Sequence, residues 1–177
     1  IKDKYNTTPT KYLNDLDIFS NIKVLAAHCI YLDNDEIDIL AKNNVGVAHN
    51  PLSNMKLGSG IADINKMLNN NILITLGTDG VSSNNNLNLL EEAKMAAYLQ
   101  KVINKDPSLI DINDLLEMLT INGAKALNID NLGRIKKDYL ADLLLININD
   151  SSYFYPHHNN LSNLFYSANF PQIDTVI

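Results

Sequence analysis

Ile72-Leu73-Ile74-Thr75-Leu76-Gly77-Thr78-Asp79 is a short apolar run that ends in a titratable side chain. Such a run predicts a strand buried on both faces, as in parallel sheets. Upstream, Val45-Gly46-Val47-Ala48-His49 has the same form, and so does Lys23-Val24-Leu25-Ala26-Ala27-His28. Helical patterns separate the three. Asp33-Asn34 caps a predicted helix from Asp35 with Ile37, Leu40 and Ala41 on one face, and Asn43-Asn44 ends it. A second is expected over 61–68, with residues 51–60 as a turn-rich loop before it. Downstream, helices are expected over 87–102 (Leu90, Ala93 and Ala97 inward), over 112–119 after an Asp111 cap, and over 123–127. A short helix is expected over 11–16. The order β-α-β-α-β-α-α is that of a parallel α/β fold. After Gly133 the pattern changes, and 142–148 and 161–168 read as β-rich. This divides the chain into 1–130 and 131–177.

Composition bounds the function. The 177 residues are 46% hydrophobic, enough to build a core. The net charge of −6 argues against a nucleic-acid partner, since little would neutralise phosphates. No apolar run approaches a membrane span of about 20 residues, and no signal-peptide pattern opens the chain. A single cysteine, Cys29, excludes an internal disulfide framework. The expected setting is reducing and cytoplasmic. The 27 asparagines against one arginine, Arg134, read as compositional bias, so asparagine clusters are not taken as chemistry in themselves. The start at Ile1 and the strand-like end at Asp174–Ile177 read as a piece of something longer.

Ligands of parallel α/β folds bind at the carboxyl ends of strands. Here three successive strands end in His28, His49 and Asp79. Imidazole and carboxylate are ligands for Zn²⁺ and Fe²⁺ and are also the common general acids and bases. Each has a structural alternative. A strand-end histidine can simply bond a carbonyl, and Gly77-Thr78-Asp79-Gly80 is good turn chemistry. Cys29 reads as a small apolar filler rather than a nucleophile. His157-His158 read as loop residues, and Gly58-Ser59-Gly60 lacks the Lys-Ser/Thr of a phosphate loop.

Three stretches, Ala27-His28-Cys29, His49–Ala62 with its Asn50-Pro51-Leu52-Ser53-Asn54-Met55-Lys56-Leu57-Gly58-Ser59-Gly60 loop, and Leu76–Asn85, resemble the amidohydrolase superfamily. The branch is that of 5-methylthioadenosine/S-adenosylhomocysteine deaminases and chlorohydrolase-like relatives. Leu90–Lys101, Asn122–Leu127, Leu132-Gly133-Arg134-Ile135 and Ala141-Asp142-Leu143 continue the resemblance, which covers about residues 20–177.

The resemblance implies a metal-dependent (β/α)₈ TIM barrel with one catalytic divalent metal, Zn²⁺ or alternatively Fe²⁺, and a small β-sandwich. Residues 1–130 would hold barrel strands six to eight, and 131–177 a β-rich part of the sandwich. Asp79 matches the metal-binding aspartate, which also acts as general base. His28 matches a catalytic histidine that polarises the water. His49, Ser53 and Asn54 match a loop near the site and are expected to bind substrate. The family's His-x-His pair, its third histidine ligand and its acid glutamate have no counterpart here, so most metal ligands are missing from this chain. The implied function is deamination of an adenosine-type purine nucleoside by metal-activated water. The alternatives are chlorohydrolase or guanine-deaminase-type chemistry on the same scaffold, or an inactive remnant. Open strand edges predict a homo-oligomer.

Overall fold

A computed structural model describes residues 1–168 and 173–177. The chain opens with two short helices, α1 (Lys2–Tyr5) and α2 (Pro9–Asp15). It then alternates β1 (Leu25–Ala27), α3 (Asn34–Lys42), β2 (Gly46–His49), α4 (Pro51–Lys56), α5 (Ile64–Asn69) and β3 (Ile74–Leu76). Four helices follow: α6 (Val81–Asn84), α7 (Leu89–Asn104), α8 (Ile112–Leu119) and α9 (Ile121–Ala126). Beyond them lie β4 (Leu144–Ile146), a 3₁₀ turn at Ser152–Phe154, α10 (Asn160–Ser162), a π turn at Asn163–Ser167, and β5 (Ile173–Val176). Residues 169–172 of the expected β-rich tail lie outside the described residues.

Strands β1, β2 and β3 form a parallel sheet in that order, with Ala26 opposite Val47 and Val47 opposite Ile74. The ladder runs past the strands, because His28 N donates to Ala48 O (2.9 Å) and Gly77 N to His49 O (3.0 Å). All three carboxyl ends therefore lie at one edge of the sheet. Strands β4 and β5 pair antiparallel, with an irregularity between Leu145 and Ile146.

Local chemistry explains the helix starts. Asp33 Oδ1 accepts from Glu36 N (2.8 Å) while Glu36 Oε2 accepts from Asp33 N (3.0 Å), a reciprocal capping box that opens α3. Asp111 and Asp114 do the same for α8. The core joins Ile37 and Leu40 of α3, Val47, Ile74, Ile64 and Met67 of α5, and Leu115 and Met118 of α8. Helix α7 contributes Ala93, Ala96, Ala97 and Gln100, a stripe at i, i+3, i+4 and i+7. Gln100 is buried because both ends of its amide are used. Its Nε2 donates to Ala62 O (2.8 Å), and its Oε1 accepts from Asn65 N (3.3 Å). Among the described residues, no helix is long and apolar enough to cross a membrane.

Four expectations need correction. Residues 51–60 are not all loop, because Pro51–Lys56 is a helix. Pro51 at its first position has its φ preset for a helix and needs no donor there. Residues 161–168 are helical and π turns rather than strand. Leu161, Leu164 and Phe165 have helical spacing, Asn159 Oδ1 accepts from Ser162 N (2.9 Å), and Phe165 is buried in the core. The first strand is three residues long and exposes Leu25 and Ala27. It is an edge of the sheet and pairs only with β2 among the described residues, so its apolar sequence does not translate into burial. The helix expected over 61–68 begins at Ile64, where Asp63 Oδ1 accepts from Lys66 N (3.0 Å).

Candidate active site

The carboxyl edge of the sheet gathers His28, which follows β1, and Asp79, which follows β3. His28 Nε2 lies 3.9 Å from Asp79 Oδ2. Both side chains are partly open to solvent, at 40% and 28%. The chain turns sharply at both positions. His28, Cys29 and Asp79 have φ of 67°, 48° and 62°, a left-handed region that costs energy for residues other than glycine. Two separate strand ends spend that energy to face one another.

Helix α4 holds both groups. Ser53 Oγ donates to Asp79 Oδ2 (2.5 Å), and Gly80 N donates to Asp79 Oδ1 (2.6 Å). The Ser53 hydroxyl, then the Gly80 amide and the nearby His28 ring, hold the Asp79 carboxyl below the usual range, so it is ionised at neutral pH. The next residue along, Asn54, places Oδ1 2.8 Å from His28 Nδ1. An amide oxygen only accepts, so Nδ1 carries the hydrogen and Nε2 of the neutral ring turns its lone pair toward Asp79. A carboxylate and an imidazole lone pair facing each other suit a divalent cation. They fit part of a coordination sphere, since at least three protein ligands are expected and no group of three or more His, Cys, Asp or Glu side chains assembles among the described residues.

His49 lies beneath this pair. It is fully buried, neither ring nitrogen has a hydrogen-bond partner among the described residues, and burial, with the neighbouring His28 ring second, pushes its pKa down to about 4. Ser53 and Asn54 are buried too. All three residues expected to bind substrate are thus buried, and two of them place polar atoms on Asp79 and His28. Cys29 packs against the core, and burial, aided by Glu36, pushes its thiol up to about 11. His157 and His158 are exposed elsewhere, with the His157 ring 4.2 Å from that of Tyr155. Gly60, at φ 116°, is a turn in which a Cβ would meet Ile30 and Tyr31 at 3.0 Å, and it makes no phosphate cradle.

Sequence reasoning passed over Glu92 and Asn84, which bond behind the site. The available signal was a glutamate on the buried stripe of α7, next to Ala93 and four residues before Ala96.

The whole chain, residues 1–177, matches the amidohydrolase family. It is 50% identical over 177 residues to a 5-methylthioadenosine/S-adenosylhomocysteine deaminase from Halothermothrix orenii, covering 100% of this chain and 41% of that protein. It is 47% identical over 169 residues to a 5'-deoxyadenosine deaminase from Methanocaldococcus jannaschii, covering 96% of this chain and 40% of that one. The fold superposes on an adenosine deaminase from Xanthomonas campestris with bound zinc at a TM-score of 0.94 and 32% identity, over 99% of this chain and 40% of the other. A zinc complex of an atrazine chlorohydrolase from Arthrobacter aurescens gives 0.92 and 25%, over 99% and 39%. The chain thus spans 41% and 40% of the length of these two curated relatives.

Proposed function

This chain belongs to the amidohydrolase family, and from that premise we propose that it carries one side of the active site of a metal-dependent nucleoside deaminase. Strands β1, β2 and β3 are the sixth to eighth strands of a (β/α)₈ barrel, and β4 with β5 belongs to a small β-sandwich. The remaining strands and metal ligands belong to the part of the protein outside these 177 residues. The observation that carries the reading is the His28–Asp79 pair at 3.9 Å, held from behind by Asn54 and Ser53. Ser53 and Asn54 support that pair through hydrogen bonds to Asp79 and His28, while His49 is buried and bonds to neither.

Asp79, with His28 beside it, would supply one side of the site for a divalent metal, and two solved structures that this chain resembles contain zinc. When bound, such a metal polarises the attacking water and brings its pKa toward about 7. The chain's own residues handle the proton. Asp79, kept ionised by Ser53 and Gly80, takes it from the water as the new C–O bond forms at the amino-bearing ring carbon. It returns the proton to the amino group, which leaves as ammonia when the C–N bond breaks. His28, fixed through Nδ1, keeps the lone pair of Nε2 beside Asp79, where it can accept a hydrogen bond from the attacking water. The substrate class is a 5'-substituted adenosine, in line with the names of relatives at 50% and 47% identity. Dechlorination is the second reading. The zinc-bound chlorohydrolase supports it at 25% identity and so supports it less.

The test is ammonia release from 5'-methylthioadenosine, S-adenosylhomocysteine and 5'-deoxyadenosine by the intact protein that contains this chain. Asp79→Asn should preserve the fold, because the amide can still accept from Gly80 N and donate to a rotated Ser53 hydroxyl. Turnover should fall about 10²–10⁴-fold with the base removed. Undiminished turnover in Asp79→Asn would overturn the proposal.

A further inference from the structure

Glu92, on α7, has no exposed surface. Its Oε2 accepts from Leu52 N (3.0 Å), and its Oε1 accepts from the Asn84 side-chain amide. The same Asn84 nitrogen also donates to Thr78 O (2.8 Å). Leu52 is the second residue of α4 and immediately precedes Ser53 and Asn54, while Thr78 immediately precedes Asp79. One buried carboxylate is therefore tied to both segments that meet at the active site. No lysine, arginine or histidine pairs with it among the described residues. Burial pushes its pKa up, the Leu52 and Asn84 donors oppose this, and Glu91 and Asp79 add to the rise. Burying a carboxylate without a cation is costly, and an apolar residue of similar size would serve packing better.

We propose that Glu92 is a positioning residue for the deamination reaction, clamping α4 to the Thr78–Asp79 segment so that Ser53 meets Asp79 and Asn54 meets His28 at working distance. It touches no reacting atom. The proposal rests on the functional reading above, in which those two contacts hold the groups that act on the substrate. Misplacement of a reacting group by about 1 Å can cost on the order of 100-fold in rate, so a clamp of this kind is functionally visible.

Glu92→Gln in the intact protein is the test. Glutamine keeps one acceptor but must set its NH₂ against either Leu52 N–H or the Asn84 amide, so one tie is lost. With metal removed by a chelator, amide hydrogen exchange should speed up over residues 51–56 and 78–84 and stay unchanged in α8. With metal present, kcat should fall about 10- to 100-fold while KM and metal content hold. A general loss of stability would not confine itself to kcat or to those two segments. A double-mutant cycle sharpens this. If Glu92 acts through Ser53, Glu92→Gln should cost much less in a Ser53→Ala background than in the wild type. Should Glu92→Gln fail to fold, Asn84→Ala cuts one arm of the clamp and carries the same expectations. Unchanged exchange in both segments, or costs of Glu92→Gln and Ser53→Ala that simply multiply, would overturn the inference. A wild-type protein that releases no ammonia would instead sink the functional reading, while the exchange experiment would still decide whether Glu92 clamps the two segments.

Discussion

Replacing His49 with leucine should remove a proton-linked step from the stability profile. The ring is fully buried, and its pKa is pushed down from 6.5 to about 4, by burial first and by His28 second. The folded state therefore refuses a proton that the unfolded chain accepts. Above pH 6.5 the ring is neutral in both states and carries no penalty. As pH falls from 6.5 toward 4 the unfolded state gains the proton, and stability is lost. At about 1.4 kcal/mol per pH unit, the full displacement is worth about 3 kcal/mol. Below pH 4 the loss from this group stops. Neither ring nitrogen has a hydrogen-bond partner among the described residues, so leucine orphans no donor or acceptor. The shape change itself should cost less than about 1.5 kcal/mol. Urea unfolding of the intact protein from pH 7.5 to 4.5 is the assay, with a chelator present because metal binding brings its own pH dependence. Carboxylates contribute to both proteins, so the difference between the two profiles is what matters. It should narrow, or change sign in favour of His49→Leu, by about 2.5 kcal/mol as pH falls through that range, most of the full displacement. Parallel profiles would mean that His49 is not held neutral by burial, and the account of the layer beneath His28 and Asp79 would fail.

Gly77→Ala should destabilise the protein by about 1–3 kcal/mol and lower turnover, since a Cβ there would lie 2.7 Å from the Asn50 side-chain nitrogen, two residues before Asp79. Melting curves and kcat read the two effects. Ile74→Ala removes a fully buried side chain from the central packing and should cost about 2–5 kcal/mol in denaturant unfolding, with metal stoichiometry in the folded fraction unchanged. Cys29, with its thiol pushed up to about 11, should react slowly with iodoacetamide at pH 7.5 in the folded protein and rapidly once unfolded; fast labelling of the native state would contradict its burial.

The parallel core was legible because its strands are short apolar runs, Val45–Ala48 closed by His49 and Ile72–Leu76 closed by Gly77-Thr78-Asp79. The bounds of α8 were legible for a local reason, the Asp111 cap. Helix α4 was hidden because Pro51, Ser53, Asn54 and Gly58 are turn formers by composition, and only packing beside the sheet makes the first three part of the helix Pro51–Lys56. The inward aim of Ser53 and Asn54 could not be read from spacing, since it depends on two segments meeting across the sheet edge. Glu92 shows the same limit. A glutamate on a helix normally faces water, and its burial here is set by Leu52 and Asn84, 40 and 8 residues away in sequence. The exposure of β1 was hidden for the opposite reason, because an apolar strand reads alike whether or not a neighbour covers it.

The most direct test of the central claim, that Asp79 and His28 form the metal-facing side of a deaminase site, is a crystal structure of the intact zinc-loaded protein with anomalous scattering at the zinc edge. The zinc should lie about 2.0–2.2 Å from an Asp79 carboxylate oxygen, with the His28 ring turned toward the same site through its Nε2. A fully coordinated zinc bound without Asp79, on the far side from His28, would contradict the account.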